Sequence, residues 1–248
     1  MRLSPILALA ALSPLALAAC DRGSDTTAES PAAAELNPST EPPPLPVDPA
    51  PTDPVVAPPA PSEQGEQGGT DNWRAVADPE DASALGRLDE AWRMARASAD
   101  AAGFADEVQS HGALVDPNAG FQGRLQPPPG EYRCRSVRMG VKGSVGLAYI
   151  AYPFFRCSVE LTPGGDLILT KTTGSQRTRG LLYPDTDRRL VYVGAQAWGD
   201  QEHGFPRYGQ MRERDQVGVF ERIGPNRWRL VIPFPKQEAQ IDILELTR

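Results

Sequence analysis

Hydrophobic residues fall along this chain in distinct patterns that change at a few sharp points. Pro5 to Ala19 is almost continuously apolar, whereas Asp21 to Thr70 is Pro, Ala, Glu, Thr and Ser with almost no large apolar residue. From Asp78 the apolar positions take helical spacing, at Leu85, Leu88, Trp92, Ala95, Ala99 and Ala102. Asp78-Pro79-Glu80-Asp81 supplies an N-cap acceptor, a proline at the first helical position and acids in the first turn, and Gly103 offers a left-handed stop. The pattern predicts one amphipathic helix of about 24 residues, with Arg87, Glu90, Arg93 and Arg96 on its polar face and Trp92 packed on the domain C-terminal to it. Residues 104–129, with Val115-Asp116-Pro117-Asn118 and Pro127-Pro128-Pro129-Gly130, read as an irregular connection.

After Gly130 the period becomes two. Tyr132, Cys134 and Ser136 alternate with Arg133, Arg135 and Val137, and Phe155, Cys157, Val159 and Leu161 alternate with Arg156, Ser158 and Glu160. Both runs read as half-buried strands. Further strands are expected at Asp166–Thr173, Thr178–Tyr183, Leu190–Trp198, Gln216–Ile223, Arg227–Ile232 and Gln240–Leu246. Pro163-Gly164-Gly165, Pro184-Asp185-Thr186-Asp187 and Gly224-Pro225-Asn226 are turn chemistry between them. About eight short strands in about 120 residues predict a mainly β domain, a small antiparallel barrel of lipocalin-like size whose closure removes exposed edges. A two-sheet sandwich is the alternative.

The apolar run of about 15 residues is shorter than the roughly 20 that a spanning helix needs, and Ser13-Pro14 interrupts it. With Arg2 before it and Leu17-Ala18-Ala19-Cys20 after it, the segment resembles a bacterial lipoprotein signal peptide. That resemblance implies removal of residues 1–19 and acylation of Cys20, which becomes the N-terminus. An ordinary secretory signal cleaved at Ala19 is the alternative. Several acyl chains, at about 0.8 kcal/mol per buried methylene, hold a protein stably on a membrane. The expected address is the cell envelope, facing the periplasm, with the leaflet left open. Residues 20–70 then form a stalk that cannot bury enough surface to fold. Its prolines favour polyproline II, which can hold a domain up to roughly 100 Å from the membrane. The helix and connection occupy residues 71–129, and the β domain residues 130–248.

The formal charge of −7 conceals an asymmetry. Residues 1–129 carry 7 Lys and Arg against 19 Asp and Glu, whereas residues 130–248 carry 18 against 13. A basic domain in the envelope is expected to meet an anionic lipid, a glycan or an envelope protein rather than nucleic acid. Cys134 and Cys157 share the apolar parity of the first two strands, so in an oxidising compartment they are expected to pair. Closing that loop of about 24 residues adds about 3 kcal/mol in the chain-entropy model.

Three segments carry a family resemblance: Tyr152-Pro153-Phe154-Phe155-Arg156-Cys157; Thr170 to Arg177 running on to Leu182-Tyr183-Pro184-Asp185-Thr186-Asp187; and Glu213-Arg214-Asp215 with Glu221 to Arg229. They resemble the bacterial family called domain of unknown function 4893, over roughly Trp73 to the C-terminus. The resemblance brings no activity with it.

Candidate chemistry therefore rests on side-chain type and parity. With His111 and His203 alone, and no Gly-x-Ser-x-Gly elbow, a histidine-based nucleophilic triad has little material. Asp200, Glu202 and His203 lack the ligand spacing of a known metal site, and Gly140 to Gly146 lacks the lysine and helix of a phosphate loop. No catalytic residue, metal ligand or cofactor is assigned. Lys171 shares parity with Leu167 and Leu169, Glu221 with Val217 and Val219, and Glu245 with Ile241 and Ile243. The three ionisable groups are expected to line one end of the barrel with Tyr132 and Trp228, as a polar floor for a small ligand or a paired network. Strand-end exposure, or a bulge that flips the parity, is the alternative. Two functions are open to such a domain. In one, the barrel or its outer arginines Arg133, Arg135, Arg227 and Arg229 bind an anionic envelope component, a small ligand or a partner protein. In the other, Glu221 or Glu245 serves as acid or base in hydrolysis of a glycan or ester.

Overall fold

The computed structural model describes residues 70–248 apart from Val145 and Asp200. The expected signal peptide, Cys20 and the stalk up to residue 69 lie outside the described residues.

Nine strands run in order: β1 (Gly130–Met139), β2 (Tyr149–Ala151), β3 (Phe155–Leu161), β4 (Leu167–Lys171), β5 (Gln176–Pro184), β6 (Leu190–Trp198), β7 (Asp215–Gly224), β8 (Arg227–Pro233) and β9 (Ile241–Thr247). From β3 onward each pairs antiparallel with the next, and β9 returns to β1 from Arg133↔Thr247 to Met139↔Ile241. The sheet is thus a closed eight-stranded barrel with β2 as an extra strand, not a sandwich. The extra strand has a plain origin. On its other edge β1 pairs with β3 only over Gly130–Cys134, and β2 takes up Val137–Met139, which would otherwise be open backbone. Three residues are too few to show a period, so the pattern alone does not mark β2.

Even-numbered positions of β1 and β5 to β9, and odd-numbered positions of β3 and β4, face the interior. Leu167, Leu169, Leu182, Leu190, Phe220, Leu230 and Leu246 meet there in one cluster with Cys134 and Cys157. The two cysteines form the expected disulfide, with Cα atoms 5.9 Å apart. They sit diagonally, since Cys134 lies opposite Phe155 and Cys157 opposite Tyr132. Gly180 and Gly194 pair directly across β5 and β6. A Cβ on Gly194 would stand 2.3 Å from the Arg179 carbonyl and 2.3 Å from the Tyr192 hydroxyl, so glycine here makes room for the Tyr192 ring beneath the wall.

The outer wall is not solvated over much of its area, because helices cover it. The single expected helix is instead α2 (Pro79–Gly86) and α3 (Leu88–Ala101), separated at Arg87 and preceded by α1 (Trp73–Val76). Asp78 caps α2 as its sequence predicts, its side chain accepting from the Glu80 amide, and Gly103 takes φ +86° after α3. The break is imposed by packing. Leu85 of α2 buries against Val217 and Val219 with Trp73 of α1, whereas Trp92, Ala95 and Ala99 of α3 bury against Val137, Met139, Ile241 and Ile243. A straight rod cannot track two patches on a curved wall. The expected irregular connection also holds α4 (Ala105–Gln109) and a 3-10 turn at Gly112–Leu114. With helices outside and side chains inside, β4, β6, β8 and β9 are buried on both faces for most of their length.

Candidate functional site

Antiparallel pairing places the end of β1, β4, β6 and β8 at the same mouth of the barrel as the start of β5, β7 and β9. Polar interior residues gather at that mouth. Arg138 lies directly opposite Asp242 in the β1–β9 ladder and its Nε donates to the Asp242 Oδ2 at 2.9 Å. The same guanidinium bonds Glu238 and the Gln176 side chain. Lys171 Nζ donates to the Gln176 carbonyl at 2.6 Å and lies 4.1 Å from the centre of the Phe155 ring. Thr178 Oγ1 joins the Tyr192 hydroxyl at 2.5 Å and donates to Gln216 Oε1 at 2.6 Å. Burial pushes the Lys171 amine down to about 8. The space left inside this network is about 20 Å³, room for about one water molecule. Hydrogen bonds thus fill this end of the barrel.

Lys171 is the one member of the expected polar floor that reaches this mouth. Tyr132 and Trp228 are interior too, but at the opposite mouth, where β1 and β8 begin. Their rings meet edge to face at 5.8 Å, the Tyr132 hydroxyl donates to the Pro128 carbonyl at 2.5 Å and the Trp228 indole to the Leu125 carbonyl at 2.9 Å. With Leu125 buried in the core, residues 125–128 plug that end, and the two polar handles tie the plug down.

Glu221 and Glu245 face outward, not into the barrel. They do share a face with Val217, Val219, Ile241 and Ile243, but those residues belong to the outer layer under the helices. An apolar parity marks the interior only where one face of a strand is wet, and here both faces are covered. The register sets Arg135, Glu245, Arg229 and Glu221 in one row across β1, β9, β8 and β7, a ladder of alternating charge. Glu245 Oε2 accepts from Arg135 Nε at 2.6 Å and its Oε1 from Arg227 Nε at 2.5 Å. Arg229 bonds Glu221 at 2.6 Å and stands between the two carboxylates in the row. Arg229 is fully buried; its Nη1 donates to the carbonyls of Ala113, Leu114 and Asp116 at 3.1, 2.9 and 2.7 Å. His111 completes the row's edge: its Nδ1 accepts from Arg135 at 3.3 Å, so the ring proton sits on Nε2, which donates to the Tyr149 hydroxyl at 2.7 Å. Burial, reinforced by the Arg135 charge, lowers the His111 pKa.

The four arginines expected on one outer face therefore divide. Arg229 is buried structure, and Arg135 and Arg227 are partly exposed but engaged by Glu245. Arg133 is exposed, and the register sets it directly opposite a second exposed arginine, Arg156 of β3. Neither forms an ion pair with a described carboxylate, while Glu245 is taken by Arg135 and Arg227 and Glu160 by Arg179. Phe154, 41% exposed, lies beneath Arg133 and Arg135, whose guanidinium carbons are 4.3 and 5.0 Å from its ring centre. In the sequence Phe154 and Arg156 carry only the family resemblance; their exposure beside Arg133 becomes visible once the β1–β3 register is known. Glu202 is structural: it accepts from the Trp198 amide at 2.6 Å and pairs with Arg214.

No curated protein and no solved structure matches this chain. A family model described as Domain of unknown function (DUF4893) matches residues 73–246, which span α1 and nearly the whole barrel, and the chain belongs to that family.

Proposed function

We propose that this protein is an envelope-anchored binding module: acylated Cys20 holds it to a membrane, and the face built by Arg133, Arg156 and Phe154 takes an anionic glycan in the periplasm. The carrying observation is the Arg133–Arg156 pair. Like charges directly opposite across two strands destabilise a sheet, and this pair stands without a carboxylate among the described residues. An anion bound between them relieves that repulsion, and each planar fork suits a carboxylate or phosphate group. The half-exposed Phe154 ring beside them offers a sugar its apolar face. A glycan fits better than a bilayer because these groups lie on a sheet wall with one aromatic, whereas bilayer binding needs a larger apolar area to bury. The polar mouth, with room for about one water molecule, is too small for a sugar, which supports assigning recognition to the outer wall.

Calorimetry of the full chain with an oligogalacturonate, against a neutral galacto-oligosaccharide of equal length, tests the proposal. Binding of the acidic oligomer alone, weakened at least tenfold by Arg133→Gln with Arg156→Gln and falling with added salt, is the expected result. Equal binding of both oligomers, or no effect of the double substitution, overturns it, as does binding only to anionic vesicles.

A further inference from the structure

The edge of the charge ladder adjoins the arginine face. Arg133 and Arg135 stand two residues apart on the outer side of β1, and their guanidinium carbons flank the same Phe154 ring. From that ring Arg135 reaches to His111, whose Nδ1 accepts from its Nη2 at 3.3 Å. His111 is half-buried on the turn that leads into Gly112–Leu114, and the buried Val108 and Leu114 seat that turn on the outer apolar layer. One imidazole thus connects the face to the proton concentration outside.

The two ring nitrogens respond differently to a second proton. Nε2 already carries one and donates to the Tyr149 hydroxyl, whose ring packs on Phe104 at 5.4 Å, so that side is unchanged. Nδ1 loses its lone pair. An acceptor for Arg135 becomes a donor facing another donor, and an uncharged neighbour becomes a cation. The surrounding groups leave that new charge without a counterion. Glu245, on β9, is the carboxylate that acts on the imidazole, and its two oxygens are already bonded to Arg135 Nε at 2.6 Å and to Arg227 Nε, on β8, at 2.5 Å. Arg135 and Arg227 oppose the protonation, Glu107 of α4 bears on Tyr149 instead, and Arg229 is committed to Glu221.

An anion seated beside Arg133 and Arg156 answers both changes. It accepts the guanidinium N–H that Nδ1 has released, and it supplies the negative charge that the imidazolium lacks. We infer, resting on the reading of that face as a glycan site, that His111 couples it to pH: protonation frees Arg135 Nη2 to serve as a third binding group, so an anionic glycan is held more tightly in acid. Such coupling is reciprocal, and the bound anion must raise the affinity of His111 for its proton by the same factor. The sign separates this role from a merely structural one, because a turn loosened by protonation would weaken binding in acid.

Calorimetry of the full chain with an oligogalacturonate at pH 7.5 and 5.5, at constant ionic strength, tests the coupling. Binding at least about threefold tighter at pH 5.5 is expected, with the ratio reduced to below about 1.5 in His111→Gln. That variant cannot take the proton, and it also removes the ligand's own titration from the comparison. In the proton resonance of the His111 ring, assigned by its loss in His111→Gln, the titration midpoint should rise by at least about half a pH unit at saturating oligomer. Amide spectra at both pH values check that the fold persists. Equal or weaker binding in acid, an unchanged ratio in His111→Gln, or a midpoint that does not move overturns the inference while the glycan face stands. No binding at either pH overturns the glycan reading and the coupling together.

Discussion

Replacing Arg229 by Met tests the strongest structural consequence of the charge ladder. The stem is kept and the guanidinium removed, which leaves Glu221 without its cation and the carbonyls of Ala113, Leu114 and Asp116 without the donor they share. Breaking a buried ion pair by deleting one partner costs about 3–5 kcal/mol. The Glu221 side chain is 13% exposed, so water recovers part of its solvation; the abandoned carbonyls act in the other direction at about 1 kcal/mol each before the segment relaxes. The net loss comes to about 4 kcal/mol. With a urea slope of about 2–3 kcal/mol/M, the midpoint of the oxidised full chain should fall by about 1.3–2 M, read by tryptophan fluorescence. Trp92, whose ring centre lies 5.4 Å from the Arg229 guanidinium, reports the same region. Arg133→Gln, on the exposed face, should move the midpoint by less than about 0.25 M, an effect within about 0.5 kcal/mol. A further substitution, Glu221→Met, should restore at least about 1 kcal/mol to Arg229→Met, because the stranded charge is then gone. If Arg229→Met moves the midpoint no further than Arg133→Gln does, the guanidinium does not hold the 113–117 segment to the barrel and the reasoning fails.

The same geometry fixes three further outcomes. The Lys171 amine is lowered to about 8 by burial, so between about pH 8 and 10.5 the unfolded chain holds more protons than the folded one. Stability should therefore rise with pH across that window relative to Lys171→Met, and parallel urea midpoints for the two proteins would contradict it. His111 is also lowered, so protonation on acidification below about 6.5 favours the unfolded chain; stability should fall there, and less so in His111→Gln, as measured by thermal melts from pH 7.5 to 5. Gly194→Ala should cost about 2 kcal/mol or more in urea unfolding, and Tyr192→Phe should not rescue it, because the Arg179 carbonyl stands at 2.3 Å as well as the hydroxyl. Recovery in the double variant would show that the Tyr192 hydroxyl alone sets the constraint.

Eight of the nine strands are legible from alternation and turn residues, and barrel closure comes from the need to hide edges. The Asp78 cap and the Gly103 stop are legible because each is decided by a single residue's backbone chemistry. Placement of the charged side chains is not. Periodicity assigns Glu221 and Glu245 to the face they share with Val219 and Ile243, but it does not say whether that face looks into the barrel or under a helix. The helix layer decides that, and its seating depends on contacts far apart in sequence, such as Trp92 with Ile243 and Trp73 with Val191. The break at Arg87 is marked locally by Gly86 alone, the last residue of α2, and a single glycine can also sit inside a continuous helix. The arginine pair needs register as well as parity, since Arg133 and Arg156 oppose each other only in the pairing that sets Cys134 against Phe155.

Residue-resolved amide-shift mapping of the full chain with an oligogalacturonate decides whether the wall around Arg133, Arg156 and Phe154 recognises an anionic glycan, as proposed. A continuous footprint is expected over residues 131–135 of β1 and 154–158 leading into β3, with little change at Lys171, Gln176 and Asp242. Shifts centred on that polar mouth or on the helical layer, or no shifts at a saturating concentration of the oligomer, would contradict it.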